Sequence, residues 1–153
     1  MLGAYLNDRT IRLGLEAADL RDAITQAAQP LIDQQKILPG YIDQMVDAVH
    51  ELGPYMVILP GIALAHGRPG KNVREECVSL ATFRTPVIFG SEENDPVYAV
   101  FVLASPVQNG HLAVLRSISR LLSDEKFLQL LPSAADVKQI TDYIKEEEAK
   151  WQK

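Results

Sequence analysis

The most hydrophobic run of the chain, Val97–Ala104, limits the possible folds more than any other feature of the sequence. The run has no charged side chain, is rich in β-branched and aromatic residues, and follows an acidic turn that ends at Pro96. Continuous apolar runs between turn signals are typical of strands that are buried on both faces. We therefore expect residues 97–104 to form the central strand of a sheet that other elements cover from both sides.

Shorter apolar or alternating segments predict further strands before this run. The segments are residues 10–15, 55–59, 62–66, 77–83 and 86–89. The gaps at Pro60-Gly61 and at residues 84–85 are too short for a crossover connection, so we expect hairpin-like pairing at both. Antiparallel pairs of this kind predict a mixed sheet instead of a purely parallel one.

Two amphipathic patterns before residue 55 predict helices. Asp19 is a candidate N-cap of the first helix, and Pro30 is expected to kink or end it, because proline lacks a backbone donor. The second helix is expected to begin at Tyr41 and to stop at Gly53-Pro54.

Three further helices are predicted after residue 104. Asn109 is the candidate N-cap of the first, and Asp124 lies at the start of the second. Ser133 with Asp136 resembles a capping box that opens the third. The inward face of the first of these helices is expected to carry Leu112, Leu115, Ile118 and Leu122.

The charged tail, residues 146–153, is expected to fray, with Trp151 as the residue able to dock on the core. Helices at both ends of the chain and strands clustered between them predict an α/β fold, in which helices flank a mixed β-sheet on both faces. The length of 153 residues fits a single domain that spans residues 1–153.

Charge and composition exclude several kinds of function. The net charge is −5 and no run of Lys and Arg is long enough for a nucleic-acid footprint, so we expect no nucleic-acid partner. No segment approaches the roughly 20 apolar residues of a membrane span, and the first residues lack the pattern of a signal peptide. The single cysteine, Cys77, permits no intramolecular disulfide. The chain is therefore expected to be soluble and cytoplasmic, without direct membrane insertion.

His66 stands at the end of a predicted strand, where an apolar run meets a loop of glycine, arginine and proline. Gly67 lets the backbone approach a ligand closely, and Arg68 can hold phosphate or carboxylate with two hydrogen bonds. One nitrogen of a neutral imidazole can attack while the other keeps its proton against a carbonyl. The combination favours an imidazole presented to an anion. Taken singly, His66 also fits a surface notch, and Arg68 a solvated surface position.

His111 is placed in the first turn of the helix that Asn109 would cap. The helix dipole disfavours a positive charge there, and free backbone N–H groups make the same turn a potential anion site. A hydrogen bond from His111 to a loop carbonyl is an equally good interpretation of the position. His50 completes the set of three histidines, whose spacing matches no common local zinc pattern, and no metal site is predicted.

Three separated motifs occur in order along the chain: GPYMVILPGIALAHGRP at residues 53–69, FGSEENDPV at residues 89–97 and NGHL at residues 109–112. Together they resemble the enzyme IIA proteins of the mannitol/fructose class of the bacterial phosphoenolpyruvate-dependent sugar phosphotransferase system (PTS). The combination of Gly-Pro-Tyr, His-Gly-Arg-Pro and Asn-Asp-Pro is most similar to the ascorbate-type branch. The resemblance covers residues 5–145 and implies a mixed sheet flanked by helices.

The resemblance implies a phosphocarrier. His66 would accept a phosphoryl group from the phosphohistidine of HPr and pass it to a cysteine of a cognate enzyme IIB, which phosphorylates the sugar as the membrane enzyme IIC imports it. His111 matches the second active-site histidine of the family and is expected to hydrogen-bond the phosphoryl group. The fixed positive charge of Arg68 makes it a candidate phosphate-binding residue beside them. The implied chemistry uses no metal and no cofactor, and the implied substrate is ascorbate or a related carbohydrate.

Two positions depart from the family pattern. Ala65 stands where the family usually has proline, so the loop is expected to be less rigid. His50 is the nearest counterpart of an arginine that mannitol-type members carry in the preceding helix. Two other functions fit the same residues. One is a regulatory module of the same fold whose phosphorylation state controls a partner protein, and the other is a metal-dependent hydrolase that uses the three histidines.

Overall fold

The computed structural model describes residues 2–151. Within this range a short 3-10 helix, Leu2–Ala4, precedes the main elements. These are, in chain order, β1 (Ile11–Leu15), α1 (Leu20–Asp33), α2 (Gly40–Leu52), β2 (Val57–Leu59), β3 (Ile62–His66), β4 (Cys77–Val87), β5 (Val97–Ala104), α3 (Leu112–Leu122), α4 (Glu125–Ser133) and α5 (Val137–Trp151).

The strands form one sheet in the order β1-β4-β5-β3-β2. β5 lies at its centre, as its continuous apolar sequence predicts, and pairs antiparallel with β4 and parallel with β3. β1 adds to β4 in parallel, and β2 adds to β3 antiparallel. The sheet is therefore mixed, which confirms the predicted fold class.

Helices cover both faces of this sheet. On one face, α1 and α2 pack on side chains that include Val100 and Val102 of β5. On the other face, α3, α4, α5 and the 3-10 helix pack on Phe101 and Leu103. The alternation along β5 sends successive side chains into two separate apolar layers. Among residues 2–151, no helix is long and apolar enough to cross a membrane.

One of the two predicted hairpins is present and the other is not. At Pro60-Gly61, β2 turns back into β3, and Gly61 has a φ of +79°, where a Cβ would also lie 2.5 Å from the Tyr98 ring. Residues 84–85 form no turn, because β4 continues without a break to Val87. The pairing with β5 shifts register between Thr82 and Val87, and Pro86 lies in this irregular part, where a missing donor is tolerated.

Two helix ends differ from the predicted ones. α1 continues through Pro30 to Asp33, with the proline ring buried and the Gln34 amide closing the last turn on the Pro30 carbonyl. Asn109 does not cap α3. It adopts a φ of +65° in the preceding turn, and His111 takes the N-cap position.

At the start of α5 the capping pair is Asp136 with Gln139 instead of Ser133 with Asp136. The Gln139 amide donates to the Asp136 carboxylate at 3.0 Å, and the Gln139 side chain accepts from the Asp136 amide at 3.4 Å.

On the predicted inward face of α3, the side chain of Leu112 is 50% exposed, contrary to the helical pattern. Its place in the first turn puts it at the edge of the core.

The charged tail is helical as far as Trp151, so the expected fraying is wrong for residues 146–151; residues 152–153 lie outside the described range. Trp151 docks against the core with the Arg120 guanidinium 5.2 Å from its ring centroid. Glu148 is buried and accepts hydrogen bonds from the Leu2 and Gly3 amides at 2.7 and 2.8 Å. The last helix is thereby attached to the first residues of the chain.

We expect Glu148→Gln to destabilise the fold in a pH-dependent way. Burial alone would raise the pKa of Glu148, but the hydrogen bonds from the Gly3 and Leu2 amides, together with the positive charge of the N-terminal amino group, outweigh burial, and the pKa is lowered. A carboxylate with a lowered pKa stabilises the folded state above its unfolded pKa of about 4.3, and this stabilisation is lost as the pH falls through the folded pKa. The variant should lose roughly 1–3 kcal/mol at pH 7.

Urea unfolding at neutral and at acidic pH measures this effect. The difference between wild type and Glu148→Gln should shrink on acidification. Glu147→Gln is the matched control, because the ion pair that Glu147 forms within residues 2–151 is with the exposed Lys150, and the substitution should change the free energy of unfolding by less than about 0.5 kcal/mol. A Glu148→Gln difference that stays constant with pH would contradict the role of its charge.

Candidate functional site

A pocket of about 560 Å³ opens where the parallel strands β3 and β5 end. Loops that follow parallel neighbouring strands meet at the same edge of a sheet, and here the loop after β3 meets the loop after β5, with α2 along one side. The structure therefore brings together His66, Arg68 and His111, the three site residues that the sequence predicts. They are distant in sequence but line one cavity.

The imidazole of His66 has a defined orientation. It is half-buried, and its Nδ1 lies 2.9 Å from the Leu64 carbonyl oxygen. A carbonyl only accepts, so Nδ1 carries a proton, and in the neutral ring the lone pair is on Nε2. The Tyr55 ring meets the imidazole edge-on, with centroids 5.4 Å apart and an interplanar angle of 88°. The neutral form of this ring therefore has one nucleophilic nitrogen, Nε2.

The backbone after His66 is held by Tyr41, a residue that the sequence analysis treats only as the start of a helix. The Gly67 amide donates to the Tyr41 hydroxyl at 2.8 Å, and the hydroxyl donates to the Leu103 carbonyl at 2.8 Å. A Cβ on residue 67 would lie 3.2 Å from the Tyr41 ring, so the close approach favours glycine. Burial raises the pKa of Tyr41 to about 12, and the hydroxyl stays protonated at neutral pH.

His111 lies across the pocket at the N-cap of α3. Its Nδ1 is buried and has no hydrogen-bond partner among residues 2–151. The preceding turn is tight, because the Ser105 hydroxyl donates to the Val107 carbonyl and a Cβ on Gly110 would lie 2.5 Å from the Ser105 oxygen. The alternative interpretation, a hydrogen bond from the ring to a loop carbonyl, is not what the structure has at Nδ1. His111 instead lies at the N-terminus of α3.

Charged groups of both signs surround these rings. Arg68 is exposed at the pocket edge and forms no ion pair within the described residues. Asp47 and Glu51 of α2 also line the pocket, a feature that the sequence analysis missed although their i,i+4 spacing places them on one helix face. His50 is exposed and does not line the pocket, so α2 supplies no cation there.

No group of three or more His, Cys, Asp or Glu side chains in residues 2–151 is arranged to hold a metal ion. The three histidines therefore do not form the common site that the hydrolase hypothesis requires. Cys77 is buried, and burial raises the pKa of its thiol to about 12, which leaves it unreactive at neutral pH.

A family model described as "Phosphoenolpyruvate-dependent sugar phosphotransferase system, EIIA 2" matches residues 4–147. This chain belongs to that enzyme IIA family. Among curated relatives, an ascorbate-specific PTS system EIIA component from Shigella flexneri is 33% identical over 138 residues, which are 90% of this chain and 90% of the relative. The corresponding component of Escherichia coli K12 is 32% identical over the same length.

Solved structures of enzyme IIA proteins share this fold. The mannitol-specific cryptic phosphotransferase enzyme IIA CmtB from Escherichia coli superposes with a TM-score of 0.84 at 28% identity, covering 94% of this chain and 97% of that one. Escherichia coli enzyme IIA for mannitol, solved in complex with phosphorylated enzyme IIB, gives a TM-score of 0.79 at 26% identity, covering 92% and 96%. The predicted resemblance to the mannitol-type and ascorbate-type proteins is confirmed.

Proposed function

We propose that this enzyme IIA chain is a cytoplasmic phosphocarrier, a single domain over residues 1–153 that accepts a phosphoryl group from phospho-HPr on His66 and passes it to a cysteine of enzyme IIB. One observation carries the proposal more than any other. The Nδ1–H of His66 is held by the Leu64 carbonyl, which leaves Nε2 as the nitrogen available for attack, and His66 lines one pocket together with His111 and Arg68.

The proposed reaction has two phosphoryl-transfer steps. In the first, the bond between phosphorus and the donor's histidine nitrogen breaks while a bond forms to Nε2 of His66. In the second, the bond to Nε2 breaks and its electron pair returns to the ring, while a bond forms to the thiolate sulfur of the acceptor. Both pass through a loose, in-line transition state, so positioning and charge stabilisation supply the catalysis. The Leu64 carbonyl stabilises the positive imidazolium that exists while His66 carries the phosphoryl group.

His111 and Arg68 are proposed to face the phosphoryl oxygens. His111 lies at the N-terminus of α3, whose free N–H groups and dipole favour a negative group. Arg68 adds a cation with no ion pair of its own among the described residues, which leaves its guanidinium available. The carboxylates of Asp47 and Glu51 on α2 oppose the phosphoryl charge, and so favour a group that is passed on instead of retained.

Exposed apolar side chains near the pocket support the proposal that other proteins bind there. Leu52, Tyr55, Val107 and Leu112 are 42–70% exposed, although they are large and hydrophobic. Exposed apolar surface around a reactive group is typical of a site for transient docking. HPr and enzyme IIB would bind here in turn, and enzyme IIC would be reached only through enzyme IIB. The ascorbate-specific relatives favour ascorbate or a related carbohydrate as the transported substrate.

A stepwise transfer assay tests this function. The chain is incubated with phosphoenolpyruvate, enzyme I and HPr, and intact mass is expected to show one acid-labile phosphoryl group that disappears when an ascorbate-type enzyme IIB is added. Omission of HPr is the control and should prevent labelling. A chain that remains unlabelled would contradict the phosphocarrier role, and a label that no enzyme IIB removes would contradict transport and favour the regulatory module.

A further inference from the structure

The hydroxyl of Tyr41 joins the ends of two neighbouring strands. Tyr41 is 1% exposed, and its oxygen accepts from the Gly67 amide and donates to the Leu103 carbonyl, each at 2.8 Å. The Gly67 carbonyl, at 3.5 Å, is the weaker alternative acceptor. A single side-chain hydroxyl thus gives a partner to one backbone donor and to one backbone acceptor.

The two backbone groups belong to the part of the sheet that presents the histidine. His66 is the last residue of β3 and pairs in register with Leu103 of β5. Beyond that pair, Tyr41 connects the next peptide of the β3 chain to β5 through its hydroxyl. Two hydrogen bonds therefore fix this part of the chain. The Leu64 carbonyl binds Nδ1 of the His66 ring, and the Tyr41 hydroxyl binds the amide of the following residue, Gly67.

We propose that Tyr41 is a positioning residue for phosphoryl transfer, whose hydroxyl fixes the Gly67 peptide and so directs Nε2 of His66 into the pocket. The assignment rests on the proposed function. Tyr41 is buried and touches neither the phosphoryl group nor a docked partner; it acts through Gly67. A hydroxyl is required because one group must donate and accept at once, which phenylalanine cannot do. Its raised pKa keeps the donor proton in place across the neutral range.

We expect Tyr41→Phe to lower kcat for phosphoryl acceptance about tenfold and to leave the KM for phospho-HPr within about twofold, because misplacing a reacting group by about 1 Å costs up to roughly a hundredfold in rate. Tyr143→Phe is the matched control. It removes a hydroxyl that donates to Asp124 on the opposite face of the sheet, and should leave both constants unchanged. A wild-type kcat for Tyr41→Phe, or an equal fall in Tyr143→Phe, would overturn the assignment.

Two NMR measurements test the bridge without any transfer reaction. In the wild type, the Gly67 amide should resist hydrogen exchange although it lies beyond the end of β3, and in Tyr41→Phe the His66 ring nitrogens should shift away from the fixed Nδ1–H tautomer. Rapid Gly67 exchange in the wild type, or unchanged His66 shifts in a folded Tyr41→Phe, would overturn the positioning role. A wild-type chain that is not labelled in the assay contradicts the proposed function instead, so the two failures are distinguishable.

Discussion

His66→Ala is expected to abolish phosphoryl acceptance completely. The variant removes the nitrogen that forms the bond to phosphorus, and no neighbouring group replaces it, since His111 lies across the pocket on another element and Cys77 is buried. Side chains that form the covalent intermediate act as a unit with the rest of the site, so their loss is not partly compensated. After incubation with phosphoenolpyruvate, enzyme I and HPr, intact mass should show only the unmodified chain.

His50→Ala is the matched control for this loss. His50 is exposed on α2 and does not line the pocket, so its removal should leave the labelling of the wild type intact. Circular dichroism spectra that coincide for both variants exclude unfolding as the cause. Labelling that persists in His66→Ala would mean that another residue carries the phosphoryl group and would contradict the assignment.

His111→Ala is expected to separate the two halves of the reaction. Labelling at equilibrium should survive, because Nε2 of His66 is intact, whereas transfer to enzyme IIB should slow. The loss of one group that stabilises developing charge typically costs about a hundredfold to a thousandfold in rate. His111 lies at the N-terminus of α3 and lines the same pocket as His66, so the variant removes the second imidazole of that pocket.

Quenched-flow measurement of the decay of labelled protein on addition of enzyme IIB gives the rate of the second half-reaction. His50→Ala again serves as the control and should transfer at the wild-type rate. If His111→Ala also transfers at the wild-type rate in both directions, His111 is only a helix-capping residue.

The hydrophobic pattern of the sequence was sufficient to predict the architecture, because the segments with the strongest patterns are also the strands and helices that are buried in the structure. The apolar run at β5 predicted the central strand, and Pro60-Gly61 predicted the turn that leads into β3. The failures occur where tertiary contacts override local signals. β4 passes through residues 84–85 because β4 itself accommodates the register shift, with residues 82–87 of β4 facing the shorter stretch 97–99 of β5. α5 extends beyond residue 146 because Glu148 binds the amides at the opposite end of the chain.

The candidate site was likewise predictable from the sequence only in part. His66 and His111 could be predicted, since one ends an apolar strand and the other begins a helix. The convergence of the two rings could not be derived from periodicity, because it depends on β3 and β5 being parallel neighbours. Tyr41 carries no local signal at all. Its hydroxyl matters only because two strands, far apart in sequence, bring Gly67 and Leu103 to it.

The most direct test of the account is to locate the phosphoryl group on the ring. Phosphorus and nitrogen NMR of the chain, labelled with ¹⁵N at histidine and phosphorylated through HPr, distinguishes the two imidazole nitrogens. The hydrogen bond between Nδ1 and the Leu64 carbonyl predicts phosphorylation of His66 at Nε2, with Nδ1 still protonated. A phosphoryl group on Nδ1 of His66, or on any other residue, would contradict it.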